Sequence, residues 1–331
     1  MKLTKVLITG AGGFLGSYIA RDLFLDGGFE IYSFSRSHHD ILEQYNVKQI
    51  LGNLTNKQDV LNALSGMDAV IHTASLVGMW GRYEDFFETN VTGTNNVIEA
   101  CLFHKIKKCV YTSTPSVAFG SDDLMGVDES TPYPKKYYSS YAETKAIAEK
   151  NILNANSPEF STVALRPHLI FGPGDQNLVP RVIKAARKKR LKIIGDGSNL
   201  VDVTYVENAS YIHLKALKEL SPTSKIAGRA YFIGQGPIKL WEFTNEILRR
   251  SGLGPITKHI SFKKAYVIGY IIENVLGLFK LYRVDPPITR FVAMQLGLNH
   301  YYNHHNLEID LGYKPQFSIE EGLDRLFTSM K

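Results

Sequence analysis

Short apolar stretches alternate with segments of helical periodicity along the first half of the chain. The first stretch, residues 6–9, is followed by glycines and then by apolar residues at helical spacing, Phe14, Ile19 and Leu23. The same pattern predicts strands over residues 31–35, 48–51, 69–72, 108–112 and 162–166, and helices over residues 59–64, 85–104 and 138–155. Such alternation is typical of a parallel sheet with helices on both faces. We therefore predict an α/β fold with a doubly wound parallel sheet.

The regularity weakens after Gly172. Turn sequences at residues 171–175 and 195–197 interrupt it, and residues 229–233 are predicted to add a last strand to the sheet. Further on, the pattern is mainly helical, over residues 241–251, 262–281, 288–298 and 319–329. We expect a sheet domain formed by residues 1–175 and 200–234. A smaller, mostly helical domain, residues 176–199 and 235–331, is expected to cover the strand ends.

The composition is that of a soluble globular protein, with 44% hydrophobic and 21% charged residues among 331. A net charge of +6 suits anionic ligands but does not imply nucleic-acid binding. The two cysteines, Cys101 and Cys109, form no CxxC motif and are expected to be reduced thiols. We identify no signal peptide, and no apolar run approaches the ~20 residues of a membrane span. The expected location is cytoplasmic.

Three glycines, Gly10, Gly13 and Gly16, follow the first predicted strand and open the first predicted helix. In such a unit the first glycine permits a sharp turn, the second lets the backbone approach a pyrophosphate, and the third lets helix and strand pack closely. The helix N-terminus also attracts phosphates. An ordinary tight turn is the simpler explanation, but this context favours the dinucleotide site of a Rossmann-type fold.

The end of the second strand bears on which dinucleotide binds. The acidic residue that would bond the adenosine ribose 2′-hydroxyl is missing, and the strand ends in Ser35 and Arg36. An arginine at this place can pair with a 2′-phosphate. The alternative is a solvated surface arginine. The sequence therefore favours NADP(H), with NAD(H) as the second option.

A tyrosine and a lysine one helical turn apart supply candidate chemistry. Tyr141 and Lys145 share one face of the predicted helix over residues 138–155. A lysine ammonium beside a phenol lowers the phenol's pKa, which would let tyrosine donate a proton to a carbonyl near neutral pH. Such a pair alone is more often a surface feature. Here, hydroxyls at residues 112–114 end the fifth strand and can hold the same carbonyl oxygen.

Together these motifs resemble those of the extended short-chain dehydrogenases/reductases. Besides Y-x-x-x-K, the resemblance rests on T-G-A-G-G-F-L-G (9–16), H-T-A-S (72–75), N-V-T-G-T (90–94), Y-T-S-T-P-S-V (111–117), R-P (166–167) and F-G-P-G-D (171–175). Within that family the chain resembles the 3β-hydroxysteroid dehydrogenase branch, and most closely the bacterial 2-alkyl-3-oxoalkanoate reductases of head-to-head olefin synthesis. The closer likeness covers almost the full length and includes G-M-W-G-R-Y (78–83), I-I-G-D-G (193–197), D-P-P-I-T-R-F (285–291) and L-G-Y-K-P-Q-F-S-I-E-E-G-L (311–323).

The resemblance implies roles for the matching residues. Tyr141 would donate the proton and Lys145 would be its partner. Thr114 would complete the catalytic set, with Ser113 as second choice. The expected cofactor contacts are Gly10, Gly13, Phe14, Leu15, Gly16, Arg36, Asn53, Leu54, Ala74, Asn90, Thr112, Tyr141, Lys145 and Pro167. Asn90 would also brace the active-site helix. Many relatives have aspartate where this chain has Asn53, whose amide can still bond adenine.

The loop after the fourth strand is expected to face the nicotinamide. Met79 and Trp80 could form an apolar wall there and Arg82 could meet a carboxylate, although ordinary loop packing explains Arg82 equally well. The expected substrate contacts are Ser75, Met79, Trp80, Arg82 and His168.

Three other features have simpler interpretations. The apolar segment at residues 266–279 is interpreted first as core, then as an acyl-chain wall, and third as a membrane-surface helix. The basic run at residues 187–192 is interpreted as a solvated helix end, with docking of an acidic partner as the minority alternative. His300, His304 and His305 lack a nearby carboxylate or thiol cluster and are not expected to bind a metal.

The activity that the resemblance implies is NADP(H)-dependent reduction of the 3-keto group of a 2-alkyl-3-oxoalkanoate, a long-chain β-keto acid, to the 3-hydroxy acid. A sterol or steroid 3β-dehydrogenase is the alternative enzyme. A non-catalytic NADP-sensing regulator is less favoured, because a sensor needs no proton donor. Expected partners are a lipid-like substrate, a second copy of the chain and other olefin-pathway enzymes. A peripheral membrane contact stays open, and nucleic acid is not expected.

Overall fold

The computed structural model describes residues 3–330, which form fifteen strands and twelve helices. The strands are β1 (Thr4–Thr9), β2 (Phe29–Ser35), β3 (Lys48–Leu51), β4 (Ala69–His72), β5 (Lys108–Thr112), β6 (Leu124–Val127), β7 (Ser161–Pro167), β8 (Ile170–Phe171), β9 (Ile193–Ile194), β10 (Leu200–Val201), β11 (Thr204–Tyr205), β12 (Arg229–Ile233), β13 (Ile238–Lys239), β14 (His259–Ile260) and β15 (His300–Tyr302). The helices are α1 (Phe14–Asp26), α2 (Lys57–Leu64), α3 (Tyr83–Phe86), α4 (Gly93–Phe103), α5 (Ser140–Asn154), α6 (Val179–Arg187), α7 (Val206–Glu219), α8 (Leu240–Arg250), α9 (Phe262–Leu278), α10 (Arg290–Gly297), α11 (His305–Leu311) and α12 (Ile319–Ser329).

Seven strands form the main sheet in the order β12-β7-β5-β4-β1-β2-β3, and every neighbouring pair is parallel. The chain runs outward from β1 to β3 and then returns to β4 on the other side of β1. At such a reversal the loops after the two central strands diverge and leave a crevice at their carboxyl ends. The predicted Rossmann-type parallel sheet is confirmed, including β12 as its last strand.

Both faces of this sheet are covered by helices, as the alternating side chains of β1 show. Val6 and Ile8 point into one core, which they share with α1 and α7. Leu7 points into the other, formed with α2, α4 and α5. All seven residues of β7 are buried. Full burial of one such aliphatic side chain contributes about 1.5–3 kcal/mol, so these two cores hold the strand ends in place.

A second sheet of four short strands, in the order β13-β10-β15-β6, lies in the C-terminal part of the molecule. Its strand β6 comes from residues 124–127, which the sequence pattern had assigned to the sheet domain. There β6 runs parallel to β15. The boundary between the two parts is therefore crossed by an early segment of the chain.

Several elements differ from the prediction. The helix expected over residues 85–104 consists of α3, a π-helical turn (Phe87–Thr92) and α4. Helix α7 was not predicted, although it lies against α1 and forms part of one core. Within the described residues, none of the helices combines the length and apolarity needed to cross a bilayer.

Candidate active site

The glycine turn after β1 is shaped by contacts that exclude side chains. Gly10 has a φ of +75°, and a Cβ there would lie 2.9 Å from the backbone of Ala74. At Gly16 a Cβ would lie 2.2 Å from the carbonyl oxygen of Gly10, because α1 packs directly on the turn. Gly13 caps α1 without a side-chain hydrogen bond and is exposed. The first N–H groups of α1 therefore face an open edge, which fits the phosphates of a dinucleotide.

The loop after β2 closes one side of this turn. Arg36 is exposed, as a contact to a soluble ligand requires. His39 packs on the turn so closely that a Cβ at Gly12 would lie 2.2 Å from its ring. The side chain of Gln49 fixes the His39 backbone by accepting from its N–H at 2.9 Å and donating to its carbonyl at 3.1 Å. The sequence analysis missed His39, because its contact with Gly12 depends on the pairing of β2 with β3.

Asn53 and Leu54 follow β3 at the same edge of the sheet. Asn53 is exposed, and its Oδ1 accepts from the Thr55 N–H at 3.1 Å. Among the described residues its Nδ2 has no hydrogen-bond acceptor, which leaves a donor for a base edge. Leu54 is buried against Gly93 instead, where a Cβ would lie 2.7 Å from its side chain. The Leu54 side chain therefore packs α4 onto the sheet.

Lys145 and Tyr141 lie on α5 and are both held beneath the end of β5. The Nζ of Lys145 donates to the Thr112 carbonyl at 2.7 Å and lies 4.1 Å from the centre of the Tyr111 ring. Burial lowers the pKa of Lys145 to about 7, although the carboxylate of Glu149 opposes this shift. Thr112 also bonds His213 through Oγ1 at 2.8 Å, so both its polar groups position neighbouring side chains.

The pKa of Tyr141 differs from the sequence-based expectation. Burial raises it to about 12, and the nearby Thr114 hydroxyl opposes the rise. The expected lowering by Lys145 is absent, because the ammonium is directed to Thr112 and Tyr111. A phenol with this pKa holds its proton at neutral pH, but it is a weaker acid than the sequence predicts.

Thr114 supplies a hydroxyl just after the end of β5. Its Oγ1 donates to Ser116 Oγ at 3.2 Å and caps the short helical turn Pro115–Val117, which fixes its position. Ser113 is also buried, but its Oγ has no hydrogen-bond partner among the described residues. Thr114 therefore stays the first choice for the catalytic hydroxyl, as the sequence predicts.

The Lys145 pKa predicts a pH dependence. A lysine is charged below its pKa and neutral above it, so Lys145 loses its charge as the pH rises through about 7. If the charged form binds the cofactor, kcat/KM for the cofactor, which reports ionisations of the free enzyme, is expected to fall through this range. The Lys145→Met variant is expected to show no such step. A wild-type profile that is flat from acid to alkaline pH would contradict the assignment.

Asn90 joins the loop after β4 to the catalytic helix. Its Oδ1 accepts from the Leu76 N–H at 2.7 Å, and its Nδ2 donates to the Leu76 carbonyl and to Thr144 Oγ1, both at 3.1 Å. Thr144 precedes Lys145 on α5. These bonds fit the predicted bracing of the helix by Asn90, and its contact with the cofactor stays a prediction.

A buried ion pair lies one turn beyond Lys145. Arg166, in β7, donates to both carboxylate oxygens of Glu149 at 2.8 and 2.6 Å, and Tyr133 donates to Oε1 at 2.6 Å. Burial alone would raise the pKa of Glu149, but the Arg166 guanidinium outweighs it and holds this pKa below its usual value. The pair ties α5 to the sheet one helical turn beyond Lys145.

Four of the predicted substrate residues lie in the loop between β4 and α3. Met79 and Ser75 lie in the loop after β4, where Met79 is exposed and Ser75 half-buried. Trp80 stacks on Tyr282 with ring centres 5.9 Å apart, so the loop meets the end of α9. Arg82 is exposed and forms only a loose pair with Glu84, at 3.7 Å.

His168 lies just after β7 and is only 5% exposed. Its Nε2 lies 2.7 Å from Nδ1 of His300, whose Nε2 donates to the Gln295 carbonyl. Its ring thus joins the end of β7 to β15 inside the protein, a contact that the sequence alone does not reveal. The substrate role of His168 stays a prediction.

The segment at residues 266–279 is not core, which corrects the preferred interpretation. In the helix α9 that contains it, only Ala265, Gly269 and Glu273 are buried. Cys101 and Cys109 are buried free thiols, as the sequence predicts. His304 lies 3.2 Å from Asp202 and forms a charge pair when protonated.

Comparison with known proteins identifies the family. The 3-beta hydroxysteroid dehydrogenase/isomerase family model matches residues 7–263. The chain belongs to this family. Members of the family are NAD(P)-dependent oxidoreductases, in agreement with the glycine turn and with the tyrosine and lysine of α5.

Relatives extend the match over the whole chain. A protein of Stenotrophomonas maltophilia named 2-alkyl-3-oxoalkanoate reductase is 47% identical over 98% of this chain and 99% of its own length. The sterol-4-alpha-carboxylate 3-dehydrogenase (decarboxylating) of Mus musculus is 35% identical over 99% of this chain and 91% of its own. The dTDP-glucose 4,6-dehydratase DesIV of Streptomyces venezuelae, solved with NAD bound, shares the fold, with a TM-score of 0.77 at 22% identity over 98% of this chain and 96% of its own.

Proposed function

We propose that this protein reduces the 3-keto group of a 2-alkyl-3-oxoalkanoate to the 3-hydroxy acid, with NADPH as the hydride donor. The observation that carries the proposal is the arrangement of α5 at the end of β5, where Lys145, one helical turn after Tyr141, donates from Nζ to the Thr112 carbonyl at 2.7 Å. The near full-length likeness to a 2-alkyl-3-oxoalkanoate reductase supports the substrate class.

The protein residues act on the carbonyl oxygen. When bound, the reduced nicotinamide supplies the hydride that the carbonyl carbon receives. The hydroxyls of Tyr141 and Thr114 hold the oxygen, and Tyr141 transfers its phenolic proton to it as the alcohol forms. Lys145 lies one turn away on α5, and its ammonium would hold the bound cofactor, in line with the pH dependence expected above. Asn90 and the Glu149–Arg166 pair keep α5 in the position that this transfer needs.

The compounds in the names of these two relatives share one chemical feature. A 2-alkyl-3-oxoalkanoate and a sterol-4-alpha-carboxylate each carry a carboxylate on the carbon next to the one that bears the reacting oxygen. A site for either compound needs a cation for the carboxylate and apolar walls for the rest, because an unpaired buried carboxylate is very costly. We assign the cation to Arg82, whose loose pair with Glu84 leaves its guanidinium open to a ligand.

The apolar wall is assigned to the place where the loop after β4 meets the end of α9. Trp80 donates from Nε1 to the Leu281 carbonyl at 3.3 Å and stacks on Tyr282. An acyl chain that leaves the catalytic end of β5 would pass along this contact. We infer that residues 176–199 and 235–331, which include α9, form the substrate-binding part of the protein.

The substrate assignment predicts a chain-length series. Each buried methylene contributes about 0.8 kcal/mol, so lengthening the alkyl chains of a β-keto acid is expected to lower KM until the pocket is full. Steady-state rates with a series of 2-alkyl-3-oxoalkanoates measure this, and the Arg82→Ala variant is expected to raise KM for the acids but not for their ethyl esters.

Three outcomes would contradict the substrate assignment. A KM that does not change with chain length would contradict the assignment of an acyl-binding wall. A 3β-hydroxysterol that outcompetes every keto acid would favour a sterol dehydrogenase. Tight NADPH binding without turnover of any substrate in the series would favour a nucleotide sensor.

NADPH is favoured over NADH because Arg36 is exposed beside the glycine turn and no carboxylate occupies the end of β2. Hydrogen bonds to charged groups contribute about 1.5–3 kcal/mol, so Arg36→Ala is expected to weaken NADPH binding about ten- to a hundredfold. NADH binding is expected to change little. Fluorescence titration of both nucleotides gives the two dissociation constants.

The matched control for Arg36 is Lys107→Ala. Lys107 is an exposed cation before β5, at the opposite end of the sheet from the glycine turn, so its removal should leave both dissociation constants unchanged. If Arg36→Ala weakens the binding of NADPH and NADH equally, Arg36 contacts a part common to both nucleotides. That result would contradict its assignment to the 2′-phosphate.

A further inference from the structure

The outward face of α9 is apolar. Val267, Ile271, Val275 and Leu278 recur at the spacing of one helix face, and Ile271 and Leu278 are 54% and 78% exposed. The opposite face, with Ala265, Gly269 and Glu273, is buried. A surface helix normally carries polar residues on the face that points away from the core. Helix α9 carries apolar residues there instead.

This apolar stripe continues beyond the helix. Its other exposed members are Ile268, Tyr270, Phe279, Leu281 and Val284. Soluble proteins seldom expose so many large apolar side chains in one contiguous segment, and such a surface marks a site of contact with a partner or a membrane.

The charges around the stripe are almost all positive. Lys263 and Lys264 stand at its beginning, and Lys280 and Arg283 at its end, all exposed. Between residues 261 and 284 the one carboxylate is Glu273, which is buried and accepts from Arg290 Nε at 2.6 Å. The exposed Asp285 follows directly after Val284. The stripe therefore has cations at both ends, and its nearest exposed carboxylate in the sequence lies just beyond its last residue.

A second basic segment lies near the beginning of the stripe. Strand β14 pairs with β9, and the Lys258 carbonyl accepts from the Ile193 N–H at 2.8 Å. This pairing places the end of the basic run at residues 187–192 beside Lys258, a few residues before α9. The run, which the sequence analysis treated as a solvated helix end, thus adds to the positive charge at this end of the stripe.

We propose that this face docks on an anionic lipid bilayer surface, with α9 parallel to the membrane plane. An amphipathic helix with an apolar face and flanking lysines or arginines binds at the headgroup level in this way. A second copy of the chain fits less well, because both ends of the stripe are cationic. Either direction of self-pairing would place like charges together.

The proposal goes beyond the proposed function, since it rests on the surface of α9 and not on the reaction. It has one consequence for that function. Trp80, in the loop after β4, contacts Leu281 and Tyr282 at the end of the stripe. Docking would bring this loop to the bilayer surface, where a long-chain substrate is most concentrated.

The test is sedimentation with lipid vesicles and needs no substrate. The protein is expected to sediment with vesicles of phosphatidylcholine and phosphatidylglycerol in equal parts, and not with phosphatidylcholine alone. Each lysine or arginine near an anionic surface contributes about fivefold to binding, so Lys280→Glu/Arg283→Glu should weaken it about 25-fold or more. Ile271→Glu/Leu278→Glu should abolish it, since two charges would enter the apolar face.

The matched control is Leu25→Glu, which puts the same charge on an apolar residue of α1 that is 72% exposed but far from α9 in sequence. It should bind the vesicles like the wild type. NADPH titration of every variant checks that the fold is intact. If Ile271→Glu/Leu278→Glu does not fold, Lys280→Glu/Arg283→Glu still tests the proposal.

Three results would overturn the proposal. The first is absence of binding to the anionic vesicles. The second is equal binding by the wild type and both double variants. The third is a wild-type dimer in size-exclusion chromatography without lipid that Ile271→Glu/Leu278→Glu converts to a monomer, because a second copy would then cover the face.

Discussion

Replacing Tyr141 with phenylalanine is expected to lower kcat by about 10²–10⁴ and to leave NADPH binding nearly unchanged. The variant keeps the ring that packs on α5 but removes the proton that the carbonyl oxygen must receive. Burial raises the Tyr141 pKa to about 12, so the phenol holds this proton at neutral pH. Single-turnover rates and NADPH titration of the purified variant separate the chemical step from binding.

Tyr137→Phe is the matched control for this experiment. It removes a phenolic hydroxyl four residues earlier, one that donates to the Val117 carbonyl at 2.9 Å and has no place in the proposed reaction. Its rate is expected to stay close to that of the wild type. If kcat is unchanged in Tyr141→Phe, another group supplies the proton and the mechanism fails.

Replacing Arg166 with methionine is expected to destabilise the protein by about 3–5 kcal/mol, because it leaves a buried carboxylate without its cation. Glu149 is fully buried, and Arg166 supplies two of its hydrogen bonds. Urea unfolding, followed by circular dichroism, measures the loss. Glu149→Gln/Arg166→Met removes both charges and should recover part of the lost stability.

The sign of the pH dependence distinguishes this cause from simple loss of packing. In Arg166→Met, burial raises the folded-state pKa of Glu149 above its unfolded value. The carboxylate is then penalised most at neutral and alkaline pH, and the penalty shrinks as the pH falls through the raised pKa. The stability difference from the wild type should therefore be smaller at acid pH than at alkaline pH. A difference that is the same throughout would indicate a packing defect.

The inner strands of the main sheet, such as β4 and β7, were predictable because their residues are buried on both faces. Strands β3, β4, β5 and β12 begin and end at the predicted residues. The glycine turn was predictable for a related reason. Close contacts at Gly10 and Gly16 leave no room for a side chain, so the sequence itself carries the signal.

Other features depend on contacts between distant segments and left no local signal. His168 is buried because β15 brings His300 to it across 132 residues of sequence. The ammonium of Lys145 is directed by the carbonyl of Thr112, a backbone group that any residue would supply. In α9, an apolar composition suggested core, but which face of a helix is buried depends on its neighbours. Here α10 covers only the face that carries Gly269.

The last strand of the main sheet has a consequence for how the protein is made. Strand β12 pairs along the outer edge of β7 and comes more than sixty residues later in the chain. On the ribosome, the apolar edge of β7 thus stays unpaired until residue 233 has emerged. An open edge of this kind is a template for pairing with other chains. Nascent chains that stop before β12 should therefore aggregate and depend on chaperones, whereas those that include it can complete the sheet.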